Sequence, residues 1–248
     1  MAALSVSFSA LFTALIVSCT IGSYESGDGE HSYSTAEMAV FSTAQEKITE
    51  GILDDDRTII IASPISTAPI KKNYSQFIHN DSIRLMFHYN KATENEKLTE
   101  ASSAIGFTPV YQPKVALTDT LKTETKTDPV NLISAWKSKN GKYYNINLSV
   151  KTGVADEQKS HILGIVCDSV SQASLPEAGN SASKKTTLHI RLTHNQNNMP
   201  LYYTTELYMS LTRDQLLSIL EHYDIKPSND IEVIFTLNTF KGEEHIRM

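Results

Sequence analysis

The chain has 248 residues, 40% of them hydrophobic, a formal net charge of −6 and two cysteines, Cys19 and Cys167. That length supports one large core or two small ones. The acidic balance, and the lack of any basic cluster beyond the pairs Lys71-Lys72 and Lys184-Lys185, argue against a nucleic-acid partner. The charge is uneven: residues 24–56 carry nine acidic side chains against Lys47. Near an anionic membrane such a segment is repelled, which holds the rest of the chain off the surface.

The first 21 residues contain no charged side chain, and the stretch from Leu4 to Val17 is apolar with interspersed Ser and Thr. It falls short of the about 20 mostly apolar residues of a comfortable membrane span and fits the apolar region of a secretory signal. It ends in Ile16-Val17-Ser18-Cys19, which resembles the bacterial lipoprotein box: an aliphatic residue, a tolerant position, a small residue, then Cys. The resemblance covers residues 1–19 only. It implies that residues 1–18 are a signal peptide, that cleavage precedes Cys19, and that Cys19 is the lipid attachment point, so that the membrane is a partner through the anchor. In that family Asp after the Cys favours the inner membrane; Thr20 here points to the outer one. One acyl chain anchors marginally, at about 0.8 kcal/mol per buried methylene, whereas three on one Cys hold almost permanently. The leader has no Lys or Arg. That leaves open cleavage after Gly22 with ordinary secretion, an uncleaved anchor, and a buried apolar helix with an incidental Cys.

Residues 19–34, rich in Gly, Ser and acids, read as a flexible tether spanning about 20 Å. Ser34-Thr35-Ala36-Glu37 has the capping-box pattern, and Val40/Phe41, Ala44, Ile48 and Ile52 recur at helical spacing, so a helix is predicted over about 35–53. Arg57–Ala62 reads as a short buried strand, interrupted after it by Pro64 and Pro69. In Ser82–Tyr89, Ile83, Leu85, Phe87 and Tyr89 alternate with polar or longer residues, as in a strand with a buried face. Thr93–Ile105 is a weaker helix. Phe107–Leu117 is extended, and Pro109 and Pro113 mark it as an edge or irregular. The Thr-rich stretch 118–128 is a linker or an exposed edge.

Asn140-Gly141 signals a hairpin. A three-residue loop, Lys139-Asn140-Gly141, with Gly141 left-handed in a bulge, pairs Trp136 with Tyr144, Ser134 with Ile146, Leu132 with Leu148 and Val130 with Val150. A two-residue turn would set Trp136 against Asn145 and mix the faces, so the apolar match selects the bulged form. Ile162–Cys167 reads as a central strand and residues 169–185 as a long loop. Thr187–His194 is a strand with Leu188, Ile190 and Leu192 inward, Asn195–Pro200 a turn and Leu201–Met209 a strand. Thr212-Arg213-Asp214-Gln215 is a capping box opening a helix, and Asp230–Phe240 is a closing strand. These elements predict an α+β class: a mostly antiparallel sheet or sheets with two or three packed helices, ending in a strand-strand-helix-strand unit. The polar join divides the body into units at 35–128 and 129–248, unless a single domain unites them.

No motif for catalysis stands out. Ser134-Ala135-Trp136-Lys137 and Ser181-Ala182-Ser183-Lys184 match Ser-x-x-Lys, but that nucleophile motif opens a helix, and these fall on a hairpin and a loop. No His-x-x-x-His, Cys-x-x-Cys or Gly-rich phosphate loop occurs, so no metal and no cofactor are expected. Asp54-Asp55-Asp56 lacks the spacing of a calcium loop. His189 and His194, five apart on a strand, face opposite ways. The sequons at Asn73, Asn80 and Asn147 match the number chance supplies. Cys167, inside an apolar run, reads as a small buried hydrophobe. The favoured reading is therefore a non-enzymatic envelope lipoprotein that binds another envelope protein. Tyr143, Tyr202, Tyr208 and the segment 118–127 are its candidate contacts. The alternatives are an exported hydrolase whose site assembles around His161, Asp168 or Ser169, and a secreted, non-lipidated interaction factor.

Overall fold

The computed structural model describes residues 34–94, 97–121, 124–153, 161–174, 184–226 and 231–248. Cys19, Gly22 and all of the leader and tether up to residue 33 lie outside them, as does the second Ser-x-x-Lys match apart from Lys184. The described residues form strands β1 (Ser34–Ser42), β2 (Lys47–Leu53), β3 (Thr58–Ser66), β4 (Ile78–His79), β5 (Ser82–Glu94), β6 (Leu98–Tyr111), β7 (Val115–Leu117), β8 (Asn131–Lys137), β9 (Tyr143–Thr152), β10 (Ile162–Ser174), β11 (Lys184–Asn195), β12 (Tyr203–Thr212), β13 (Ile231–Thr239) and β14 (Gly242–Arg247), with helices α1 (Thr67–Asn73) and α2 (Arg213–His222). The expected α+β class with two or three packed helices is thus overturned. The chain is mostly β, and among the described residues it has two short α-helices, one packed on each body's core.

The first body is a closed barrel. β1 pairs with β2 and β5, β2 with β3, β3 with β6 in parallel, and β6 back with β5. The circuit β1-β2-β3-β6-β5, with α1 between β3 and β5 in the chain, is the five-stranded Greek-key arrangement of an OB-fold. Inward residues alternate as the pleat requires: Ala39 and Phe41, Ile59 and Ile61, and Ile83, Leu85, Phe87 and Tyr89 are all buried, and Ile70 of α1 joins this core. Each fully buried side chain of this size contributes about 1.5–3 kcal/mol.

The predicted helix over 35–53 is instead the hairpin β1–β2, with Val40 opposite Ile52 and Phe41 opposite Gly51. Val40, Thr43, Ile48, Thr49 and Ile52 are β-branched and stiff in a helix, and Gly51 would weaken a helix interior by about 1 kcal/mol. Likewise the described residues of the 93–105 stretch are not helical; they lie at the end of β5 and in the first part of β6. Pro109 is not on an edge strand: it pairs with Leu85 of β5. On its other side, β6 stops bonding β3 at Ala101 and begins bonding β12 at Val110. The missing N–H therefore falls where β6 changes partners.

The second body is a sandwich. β7, β10, β11, β13 and β14 make one sheet, and β12, β9 and β8 make the other. Between them lie Tyr144, Ile146, Leu148 and Val150 of β9, Met209 and Leu211 of β12, and Ile165, Leu188, Ile190, Phe235 and their neighbours, with Leu216, Ile219 and Leu220 of α2. The expected order strand, strand, helix, strand is present as β11, β12, α2 and β13, although β12 crosses to the opposite sheet and β14 follows. The predicted loop over 169–185 is partly strand, since β10 continues to Ser174 and β11 begins at Lys184. The capping box forms as read: Thr212 Oγ1 accepts from Gln215 N–H, and Gln215 Oε1 accepts from Thr212 N–H. Thr212→Ala is expected to lower unfolding free energy by about 1 kcal/mol in urea titration.

Because β6 pairs with β12 through Tyr208–Val110 and Met209–Tyr111, one sheet runs from the barrel into the sandwich. Alternation on β9 and β12 gives this sheet one apolar face, inside the sandwich. The other face carries Asn145, Asn147, Ser149, Glu206, Tyr208 and Ser210. Against it rests Arg84 of β5, 1% exposed. Its Nε donates to Ser210 Oγ at 3.0 Å, its Nη2 to Asp54 Oδ2 at 2.8 Å and Asn145 Oδ1 at 3.0 Å, and its guanidinium lies 3.6 Å from the centre of the Tyr143 ring.

Candidate functional site

Beside this junction opens a cleft of about 510 Å³. Its barrel wall is Tyr74 and Phe77, the first capping and the second ending a single 3-10 turn after α1, with Thr108, Pro109 and Tyr111 at the end of β6. Its sandwich wall is Glu206, Leu207 and Tyr208 of β12 with His161, Ile162 and Leu163 at the start of β10. The rings form an edge-to-face chain along the barrel wall: Phe107 to Tyr74 at 5.9 Å, Tyr74 to Phe77 at 6.4 Å and Phe77 to Tyr111 at 6.4 Å between centroids. Such pairs hold one another in orientation as well as burying area. Ile162 is 57% exposed at its rim.

Besides Thr108 and the hydroxyls of Tyr74 and Tyr111, three polar groups interrupt the apolar lining. Glu206 Oε1 accepts from Tyr208 OH at 2.9 Å and from Asn147 Nδ2 at 2.6 Å. Burial, and then the bond to Glu206, raise the Tyr208 phenol above its ordinary value, so it stays a donor. The third group is His161, whose Nδ1 lies 3.0 Å from His194 Nε2, while His194 Nδ1 lies 3.0 Å from the Asp128 carbonyl. A carbonyl only accepts, so His194 carries its proton on Nδ1; in the neutral chain His161 Nδ1 then donates to His194 Nε2. His161 Nε2 is left as an acceptor, buried and without a partner among the described residues. Burial, and then the His194 ring, hold His161 below the ordinary imidazole value, which keeps it neutral.

The residues singled out from sequence are dispersed. Tyr208 lines the cleft. Tyr143 lies under Arg84 at the junction, and Tyr202 is 83% exposed elsewhere. The segment 118–127 is not a free edge: Thr118 Oγ1 donates to Asp168, Thr125 Oγ1 accepts from Arg191, and Thr127 bridges to His194. His161 and Asp168 do not meet. They lie seven positions apart along one extended segment, roughly 20 Å, and Asp168 is held by both Nε and Nη2 of Arg191 at 2.9 Å. Those bonds keep its carboxyl below the usual value. Ser169 follows Asp168 along β10, equally far from His161. Cys167 is fully buried, and burial raises its thiol to about 11, so it behaves as an inert hydrophobe. The three aspartates diverge: Asp54 to Arg84, Asp55 to Arg57 and Asp56 to Lys142. Reading from sequence missed Glu206, Asn147 and the aromatic set at 74, 77 and 111. The one signal for the first two is strict alternation in Tyr144–Val150 and Glu206–Leu211, whose polar positions share a face.

The sandwich has a counterpart in sequence: the profile of the NigD-like C-terminal beta sandwich domain matches residues 113–248. The chain belongs to the NigD-like family. Among curated proteins none matches it. In solved structures the same architecture recurs. A NigD-like immunity protein from Bacteroides caccae is similar over 86% of this chain and 91% of that one, at 18% identity and TM-score 0.52. A Bacteroides fragilis protein provisionally described as a lipoprotein is similar over 87% and 96%, at 9% identity and TM-score 0.58. A protein of unknown function from Bacteroides vulgatus is similar over 87% and 90%, at 14% identity and TM-score 0.55. At these identities the likeness is one of fold, and it extends across both bodies of the NigD-like chain.

Proposed function

We propose that this NigD-like chain is a lipid-anchored protein of the bacterial envelope, held by Cys19 on the outer membrane. It works by binding another envelope component, not by catalysis. The observation that carries this reading is the cleft itself. Its walls are aromatic and aliphatic, its polar groups are already ordered by hydrogen bonds, and it lies at a junction fixed by Arg84 and a shared sheet. That is recognition chemistry: pre-formed, apolar, with a few placed polar groups. The immunity protein and the provisionally described lipoprotein of the same fold are consistent with it. The acidic segment 24–56 lies between the proposed anchor and the cleft in sequence, and its repulsion from anionic lipid favours an outward-facing cleft.

Two measurements test the reading. Cells fed labelled palmitate are expected to label the parent chain and not Cys19→Ser; an unlabelled parent would refute the anchor. A photo-reactive phenylalanine analogue placed at position 208 is expected to cross-link a ligand in intact cells, whereas the same analogue at exposed position 202 does not. Equal labelling at both, or none at 208, would refute the cleft as the binding site.

A further inference from the structure

The one charged side chain among the described residues of the cleft wall is Glu206. Glu206 Oε1 is occupied, but Oε2 accepts nothing among the described residues, and His161 Nε2 is a buried acceptor with no donor. No Lys or Arg stands among the described residues of the cleft wall to offset the Glu206 charge. Around these acceptors stand the rings of Tyr74, Phe77, Tyr111 and Tyr208. Aromatic faces attract cations and repel anions, and a carboxylate facing a cationic donor makes one of the stronger hydrogen bonds in proteins. An accessible, unfilled carboxylate oxygen favours a ligand that brings N–H groups to it.

Resting on the reading of the cleft as a binding site, we infer that its ligand is a small amphipathic organic cation: a primary or secondary ammonium on an apolar body. The ammonium is received by Glu206 Oε2, and the body by the aromatic barrel wall. The volume of about 510 Å³ lies within the range of small-molecule sites, which favours a free ligand over a protein segment. The charge argument excludes the carboxylate analogue of the same body. The open Glu206 oxygen disfavours the quaternary analogue, which has no N–H to give.

The test is calorimetric titration of the full chain, purified from membranes in mild detergent, with phenethylamine, 3-phenylpropionate and phenethyltrimethylammonium. Glu206→Gln in the same detergent serves as the reference for partitioning into micelles. Phenethylamine is expected to bind at least about tenfold more tightly than the other two, and Glu206→Gln to weaken it by about tenfold, the worth of one charge-assisted bond. Glu206 is exposed, so the variant's thermal unfolding should match the parent's. Equal binding of amine and carboxylate, no binding of the amine, or an unchanged affinity in Glu206→Gln would overturn the inference. If a cross-link forms at position 208 while no amine binds, the cleft remains a binding site and the cation is wrong. If that adduct proves to be a polypeptide, the occupant is a protein segment and the inference also fails.

Discussion

Arg84→Ala is expected to lower unfolding free energy by about 3–5 kcal/mol, the range found when one member of a buried ion pair is removed. The guanidinium bonds Asp54, Asn145 and Ser210. Asn145 Nδ2 also donates to Asp54 Oδ2, and Ser210 Oγ to Asn145 Oδ1. Alanine leaves a carboxylate, an amide and a hydroxyl facing an empty volume between two bodies. The loss stems from that stranding more than from the strength of the bonds, since Arg84 Nη1 is itself without a partner among the described residues. Arg84→Lys is expected to recover little, because one ammonium cannot fork to acceptors on β9, β12 and the β2–β3 turn together. Trp136, the chain's single tryptophan, packs with Met38, Met86, Val110 and Tyr208 at this junction. Its fluorescence in a urea titration therefore reads the affected region. A shift of less than about 1 kcal/mol would mean that the shared sheet alone holds the bodies together.

The same network explains what sequence could and could not show. The hairpin at Asn140-Gly141 was legible: Gly141 is left-handed, at φ 70°, and Leu132 does oppose Leu148. Nearer the turn the pairing differs from the apolar match, with Trp136 opposite Asn145 and Ser134 opposite Asn147. The extra residue is not in the turn but at Ile133, where the register shifts. The rejected pairing occurs because Asn145 is not a solvent residue. It faces Arg84, which comes from 61 positions earlier in the chain. A polar side chain buried by a distant partner looks, in sequence, like an exposed one. The cleft was obscured in the same way, since its residues come from α1's exit, β6, β10 and β12. By contrast, Leu188, Ile190 and Leu192, and Ile83 to Tyr89, were read correctly because a period of two along one strand suffices to place them. The helix expected at 35–53 failed where apolar residues fit both periods, and there Gly51 and the β-branched residues were the better guide.

Gly51 also sets the second large effect. A Cβ built at this position would lie 2.5 Å from both Cδ1 and Cε1 of Phe41 and 2.9 Å from the Val40 carbonyl oxygen. Phe41 is 1% exposed and stands directly opposite Gly51 in the β1–β2 register. Its ring covers the bare backbone, as aromatic residues do for glycine in sheets, and also meets Phe87 edge-on at 5.3 Å. The ring cannot withdraw without disturbing the barrel core. Gly51→Val is therefore expected to lower unfolding free energy by about 3 kcal/mol, the upper end of ordinary overpacking. Phe41→Ala alone should lose about 3–5 kcal/mol through the cavity it leaves. Because the two side chains compete for one volume, the double variant should lose about 1–3 kcal/mol less than the two single losses combined. Strict additivity in the urea titrations would show that the barrel yields at Gly51 by moving strand β2, and that Phe41 is not what requires a glycine there.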